Sequence, residues 1–206
     1  MSNSLTQQSK TIGKRRIGLL GGSFNPAHDG HRHISLLALR RLGLDEIWWL
    51  VSPQNPLKPA RGMAPLNDRL ACARAVAAHP RIRVTDIERV LNTRYTVDTV
   101  KALKSRHPDH NFVWLIGADN LLQMPKWKAW QALFGTVAVA IFARPSYSLR
   151  ALAGQAAIRF SAYRLPESQA RRLADTEPPA WVFLRIRLHS ASATEIRAEA
   201  KKKSPG

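Results

Sequence analysis

Acidic residues are scarce in this 206-residue chain: 14 Asp and Glu stand against 32 Lys and Arg, a formal charge of +18. Cysteine is nearly absent, with Cys72 alone. One thiol excludes an internal disulfide framework and suits a reducing compartment, so a cytoplasmic location is expected. Cys72 falls inside a helical pattern and reads as core. No apolar run approaches the roughly 20 residues that cross a bilayer, and no membrane partner is expected. The stretch 1-MSNSLTQQSKTIGKRR-16 is basic with no apolar segment behind it, so it is not expected to act as a secretory signal. Two nucleotide-binding fingerprints are also missing, GxGxxG and GxxxxGK[ST].

Apolar residues make up 45% of the chain, enough for a real core in one α/β domain. The positive charge is spread through Arg15 and Arg16, Arg40 and Arg41, Arg171 and Arg172, and Lys201 to Lys203. No RNP aromatic pattern, zinc-knuckle spacing or recognition-helix motif accompanies it, which argues against a nucleic-acid partner. A diffuse basic field also attracts polyphosphate metabolites. The oligomeric state has no signal in the sequence.

Strand and helix patterns alternate. Strands are expected at 15–20 (RRIGLL), 46–51 (EIWWLV), 81–84, 112–116 (FVWLI), 137–142 (VAVAIF) and 181–186 (WVFLRI). Helices are expected near 30–42, where Ile34, Leu37, Ala38 and Leu42 repeat at helical spacing, and at 67–78, 96–106 and 125–134. Gly43 should stop the first and His79-Pro80 the second. Residues 146–180 suggest one or two short helices ahead of Pro178-Pro179, and a last helix should start near Ser192. The alternation predicts a Rossmann-like, doubly wound parallel sheet with helices on both faces. Residues 15–198 would form a single domain, with a flexible tail at 1–14 and a basic tail at 199–206.

Ligands bind an open parallel sheet beyond the carboxyl ends of its strands. The loop after the first strand reads Gly21-Gly22-Ser23-Phe24-Asn25-Pro26-Ala27-His28-Asp29-Gly30-His31. Gly21 and Gly22 should let the backbone turn sharply and admit a phosphate to the amides. The helix behind them offers its N–H groups and positive dipole end to an anion. His28 and His31, three apart at a helix start, can donate to one set of phosphate oxygens. A zinc centre would need third and fourth ligands, and no Cys or His cluster supplies them at suitable spacing. His33, His79, His107, His110 and His189 read as surface or satisfied core residues.

The stretch Gly-Gly-Ser-Phe-Asn-Pro-x-His-x-Gly-His resembles the nucleotidyltransferases with an HxGH signature near the N-terminus. Their second signature, Ile-Ser-Ser-Thr-x-Ile-Arg, is similar to 191-ASATEIR-197, where Ser192, Thr194, Ile196 and Arg197 match while Ala191 and Ala193 depart. Ser192 with Glu195 also has capping-box spacing. Within that family, Gly-Gly-Ser-Phe-Asn-Pro, 52-SPQNPLK-58, 93-TRYTVDT-99 and 117-GADNLLQMPKW-127 look like the nicotinate-nucleotide adenylyltransferases. The resemblance implies transfer of AMP from ATP to nicotinate mononucleotide, giving deamido-NAD and pyrophosphate, with Mg²⁺ arriving on ATP and no dedicated protein ligands for it. It implies His28 and His31 as the catalytic pair. Gly21, Gly22, Ser23, Phe24, Lys58, Arg144, Ser192, Thr194 and Arg197 would bind ATP. Tyr95, Thr96, Asp119 and Trp127 would bind nicotinate mononucleotide. Nicotinamide mononucleotide or phosphopantetheine as acceptor, or a non-catalytic basic RNA-binding protein, stay open as alternatives.

Overall fold

A computed structural model describes residues 14–53 and 62–186. Seven strands form one sheet in the order β3-β2-β1-β4-β5-β7-β6, every neighbouring pair parallel. They are β1 Arg15–Gly22, β2 Glu46–Val51, β3 Ile82–Thr85, β4 His110–Gly117, β5 Ala138–Phe142, β6 Arg164–Leu165 and β7 Trp181–Leu184. Central parallel strands are covered on both faces, so they read as unbroken apolar runs. In β4, Val113 and Leu115 pack into one core layer, and Phe112, Trp114 and Ile116 pack into the other.

Helices α1 (Asp29–Arg41) and α2 (Leu66–Ala77), with a 3₁₀ stretch over Glu167–Asp175, cover the first face. The opposite face is covered by α4 (Thr96–Arg106), α5 (Ala118–Gln123), α6 (Trp130–Thr136), α7 (Ser148–Leu152) and α8 (Gln155–Arg159). A one-turn helix, α3 (Ile87–Val90), precedes α4. The chain builds outward from β1 to β3, then returns to lay β4 on the other side of β1. The reversal point therefore lies between β1 and β4, where crevices open at the carboxyl ends of the strands. Helix α5 starts directly after β4 and α1 starts after the short loop that follows β1, so their N-termini lie at that edge.

Two expectations need correction. The helix near 125–134 does not exist as one element. Pro125 has no N–H for the carbonyl four residues back, and its ring would crowd it, so α5 ends at Gln123. A 3₁₀ turn over Met124–Lys126 follows, then extended Trp127 (ψ 144°) and left-handed Ala129 (φ +48°), before α6 begins at Trp130. Trp127 and Trp130 thus belong to different elements. The stretch 146–180 holds two short helices as expected, but also the two-residue edge strand β6, too short for a period to be read, and the nine-residue 3₁₀ stretch, which buries Ala170, Leu173 and Ala174. The remaining strands match to within a few residues. Among the described residues no helix is long and apolar enough to cross a membrane. The tails, the helix near Ser192, Lys58 and His189 lie outside the described residues.

Candidate active site

His28 is the N-cap of α1, in extended backbone, and His31 is its third residue. The two imidazoles lie with ring centroids 3.9 Å apart. The backbone N–H of His28 donates to Nδ1 of His31 at 3.2 Å. A ring nitrogen that accepts an amide proton carries none itself, so the proton of a neutral His31 sits on Nε2. The capping contact therefore selects the tautomer whose donor points away from the helix.

The ring of His31 rests on Phe24, centroids 4.7 Å apart, and Phe24 stacks on Trp49 at 5.1 Å. The Trp49 indole N–H donates to Ser35 Oγ at 2.7 Å, and Ser35 Oγ donates to the His31 carbonyl oxygen at 2.8 Å. Trp49 and Ser35 are fully buried. This stack holds the imidazole from one side. Phe24 holds φ at +46°, a left-handed conformation costing a side-chain-bearing residue roughly 1–2 kcal/mol. Burying its ring offsets that by about 1.5–3 kcal/mol. The sharp turn is therefore made at Phe24. Gly21 and Gly22 are the last residues of β1 rather than turn residues, which corrects the expectation for them. Gly21 is needed for a different reason: a Cβ there would lie 2.5 Å from the Trp114 ring. A Cβ on Gly22 would meet only ordinary contacts.

Arg69 joins the loops at this edge. It is 3% exposed and donates to four carbonyl oxygens: Ser23 at 2.7 Å, Ser52 at 2.7 Å, Ala64 at 2.9 Å and Pro53 at 3.0 Å. Burial pulls its pKa below the ordinary guanidinium value. Asn25 adds to the same junction, donating through Nδ2 to Gly62 O at 3.0 Å and accepting the Ala64 N–H at 3.1 Å. Glu88 of α3 is buried and hydrogen-bonds Ser52, and burial raises its carboxyl pKa above the usual range despite that bond.

On the β4 side, Asp119 and Arg144 approach each other, Oδ1 to Nε 3.6 Å, as an ion pair without a hydrogen bond. Gly117 makes room for them, since a Cβ there would meet both side chains. A cleft beside α1 is lined by Gly30, His33, Ile34, Ala143, Arg144 and Ile186. Tyr95 caps α4 and, like Trp127, packs half-buried against the second core layer. Lys128 lies 4.3 Å above the Tyr95 ring and pairs with Asp98 at 3.2 Å. Thr96 is the first residue of α4, at its positive end.

The cytidylyltransferase-like family matches residues 19–199. A probable nicotinate-nucleotide adenylyltransferase of Cereibacter sphaeroides is 50% identical over 185 residues, covering 90% of this chain and 97% of that protein. One from a Bradyrhizobium species is 52% identical over 182 residues, covering 88% and 95%. The chain belongs to the nicotinate-nucleotide adenylyltransferase family. The fold agrees: a solved Plasmodium falciparum nicotinic acid mononucleotide adenylyltransferase, complexed with NaAD, superposes with a TM-score of 0.65 at 19% identity, covering 89% of this chain and 83% of that one.

Several residues of the candidate site were not read from the sequence. Arg69 carried a signal: it falls between Leu66 and Ala73 at helical spacing, which puts a guanidinium on the core-facing side of α2. Ser35 sits similarly among Ile34, Ala38 and Leu39. Glu88 and Lys128 carried none, because each depends on a neighbour distant in sequence.

Proposed function

We propose that this chain transfers the adenylyl group of ATP to nicotinate mononucleotide, releasing pyrophosphate and giving deamido-NAD, in the cytoplasm. The observation that carries the reading is the paired imidazole cradle at the β1/β4 reversal point, with His31 held as an Nε2–H donor. The acceptor phosphate has a second pKa near 6 and is mostly a dianion at neutral pH, so it attacks without a general base. Its oxygen forms a bond to the α-phosphorus as the bond to the β-phosphate oxygen breaks. The protein's task is to align two anions and to neutralise charge growing on the leaving oxygens. His28 and His31 do this by donating to the α- and β-phosphates. Gly21, Gly22, Ser23 and Phe24 offer backbone to the triphosphate, Phe24 keeping its ring beneath His31.

Arg144, on the cleft beside Gly30, contacts phosphate. Lys58, Ser192, Thr194 and Arg197 complete the ATP set in this reading, on the family signatures alone. Tyr95 and Thr96 present the α4 N-terminus to the nicotinate carboxylate, Trp127 stacks on the pyridine ring, and Asp119 holds a ribose hydroxyl. Donor groups at that end favour a carboxylate over a neutral amide.

Asp119, the carboxylate given to the acceptor in this reading, is paired with Arg144. Mg²⁺ would arrive on ATP, held chiefly by phosphate oxygens and water.

Pyrophosphate release measured with ATP and each of nicotinate mononucleotide, nicotinamide mononucleotide and phosphopantetheine tests the acceptor. Fast release with the nicotinate compound alone is expected. Equal or faster release with another acceptor, or none with any, contradicts the reading.

A further inference from the structure

At the amino edge of the sheet, away from the imidazole cradle, the turn between α4 and β4 gathers His107, Asp109 and His110. One potential ligand atom from each lies within 4.8 Å of the others. We propose that this turn is a second, independent site for a divalent transition metal of the zinc class. The His110 side chain is 10% exposed, and its Nδ1 lies 3.2 Å from Asp109 Oδ1 yet has no hydrogen-bond partner among the described residues. A buried imidazole nitrogen left in that state costs about 1–3 kcal/mol. A cation between the nitrogen and the carboxylate satisfies both.

The three ligands stand on fixed backbone. The His107 N–H donates to Leu103 O at 2.9 Å, closing the last turn of α4. The His110 N–H donates to His107 O at 3.1 Å, and Asp109 O accepts from the Arg15 N–H at 3.2 Å, which ties the turn to β1. The rings of His107 and His110 lie 5.1 Å apart, nearly parallel, each against Trp48 at 5.5 and 6.1 Å. Trp48 is 5% exposed and cannot yield. Two imidazoles and one carboxylate select Zn²⁺, Co²⁺ or Ni²⁺ over Mg²⁺ and Ca²⁺, which prefer oxygen ligands. Three protein ligands leave a position open to water. The spacing His107-Pro108-Asp109-His110 would not have been read as a site, because only the turn brings the two rings together.

Co²⁺ titration of the untagged full-length chain, free of nucleotide and Mg²⁺, tests this directly. Binding is followed by d–d absorption and by tryptophan fluorescence, since Trp48 adjoins both rings. One Co²⁺ per chain is expected, displaced by one Zn²⁺, and bound metal should raise the melting temperature. His107→Ala and Asp109→Asn, both at accessible positions, should each weaken Co²⁺ binding about tenfold or more. Absence of d–d bands, or wild-type affinity in both variants, overturns the proposal and leaves the imidazoles as an aromatic cover on Trp48. The readout does not involve adenylyl transfer, so it stands apart from the acceptor test.

Discussion

Replacing Arg69 with Met tests whether one buried guanidinium holds the loops of the crevice together. Methionine keeps most of the apolar stem and removes every donor. The change strips four hydrogen bonds of 2.7–3.0 Å from the carbonyls of Ser23, Ser52, Pro53 and Ala64. Bonds from a charged donor contribute about 1.5–3 kcal/mol each, and an orphaned buried carbonyl costs about 1–3 kcal/mol. Water entering at the loop edge recovers part of this, and the desolvation of Arg69, visible in its lowered pKa, is relieved. The net loss is about 3–5 kcal/mol. For a domain of this size that corresponds to a fall in melting temperature of roughly 6–20 °C. Calorimetry gives the shift. Steady-state kinetics well below the melting point should also show kcat/KM falling, because Ser23 and the β2 loop lose their mutual register. A variant melting within about 2 °C of the parent would refute the strut.

Three further outcomes follow from particular contacts. Glu88 has its carboxyl pKa raised by burial, so the folded state holds that proton more tightly than the unfolded chain. Its contribution is complete below the ordinary carboxylate pKa and is lost as pH rises through the raised value; Glu88→Gln should flatten that slope in melting temperature from acid to neutral pH. Gly21→Ala would place a Cβ 2.5 Å from the Trp114 ring, and chemical denaturation should show a loss of roughly 1–3 kcal/mol from overpacking. Trp127→Ala should raise the KM for nicotinate mononucleotide by about tenfold or more, the stacking contribution of one aromatic ring, while the KM for ATP stays put.

The fold was legible because its strands are buried on both faces. Runs such as EIWWLV and VAVAIF admit few other readings, and the intervening helices carry clear apolar periodicity. The failures have local causes. Pro125 interrupts what looks like a Trp-rich helical repeat, and the elements between Ser148 and Leu165 are too short to show a period. Within the site, His28 and His31 stood out because their types and spacing suit phosphate chemistry. What orients them did not. The stack of Phe24 on Trp49 and the Trp49–Ser35 bond arise when β2 lies beside α1, and the acceptance of the His28 N–H by His31 Nδ1 is a cap contact within the first turn of α1. The glycines were noticed for conformational freedom, whereas Gly21 and Gly117 are required by the groups that pack against them.

In the proposed reaction His31 is the preorganised donor to the reacting phosphates. Purified His31→Ala, with melting temperature and circular dichroism checked against the parent, should turn over about a hundredfold more slowly or worse at saturating ATP and nicotinate mononucleotide, as losing one such donor costs roughly 3–4 kcal/mol of barrier. A folded His31→Ala protein with a near-normal kcat would contradict that role.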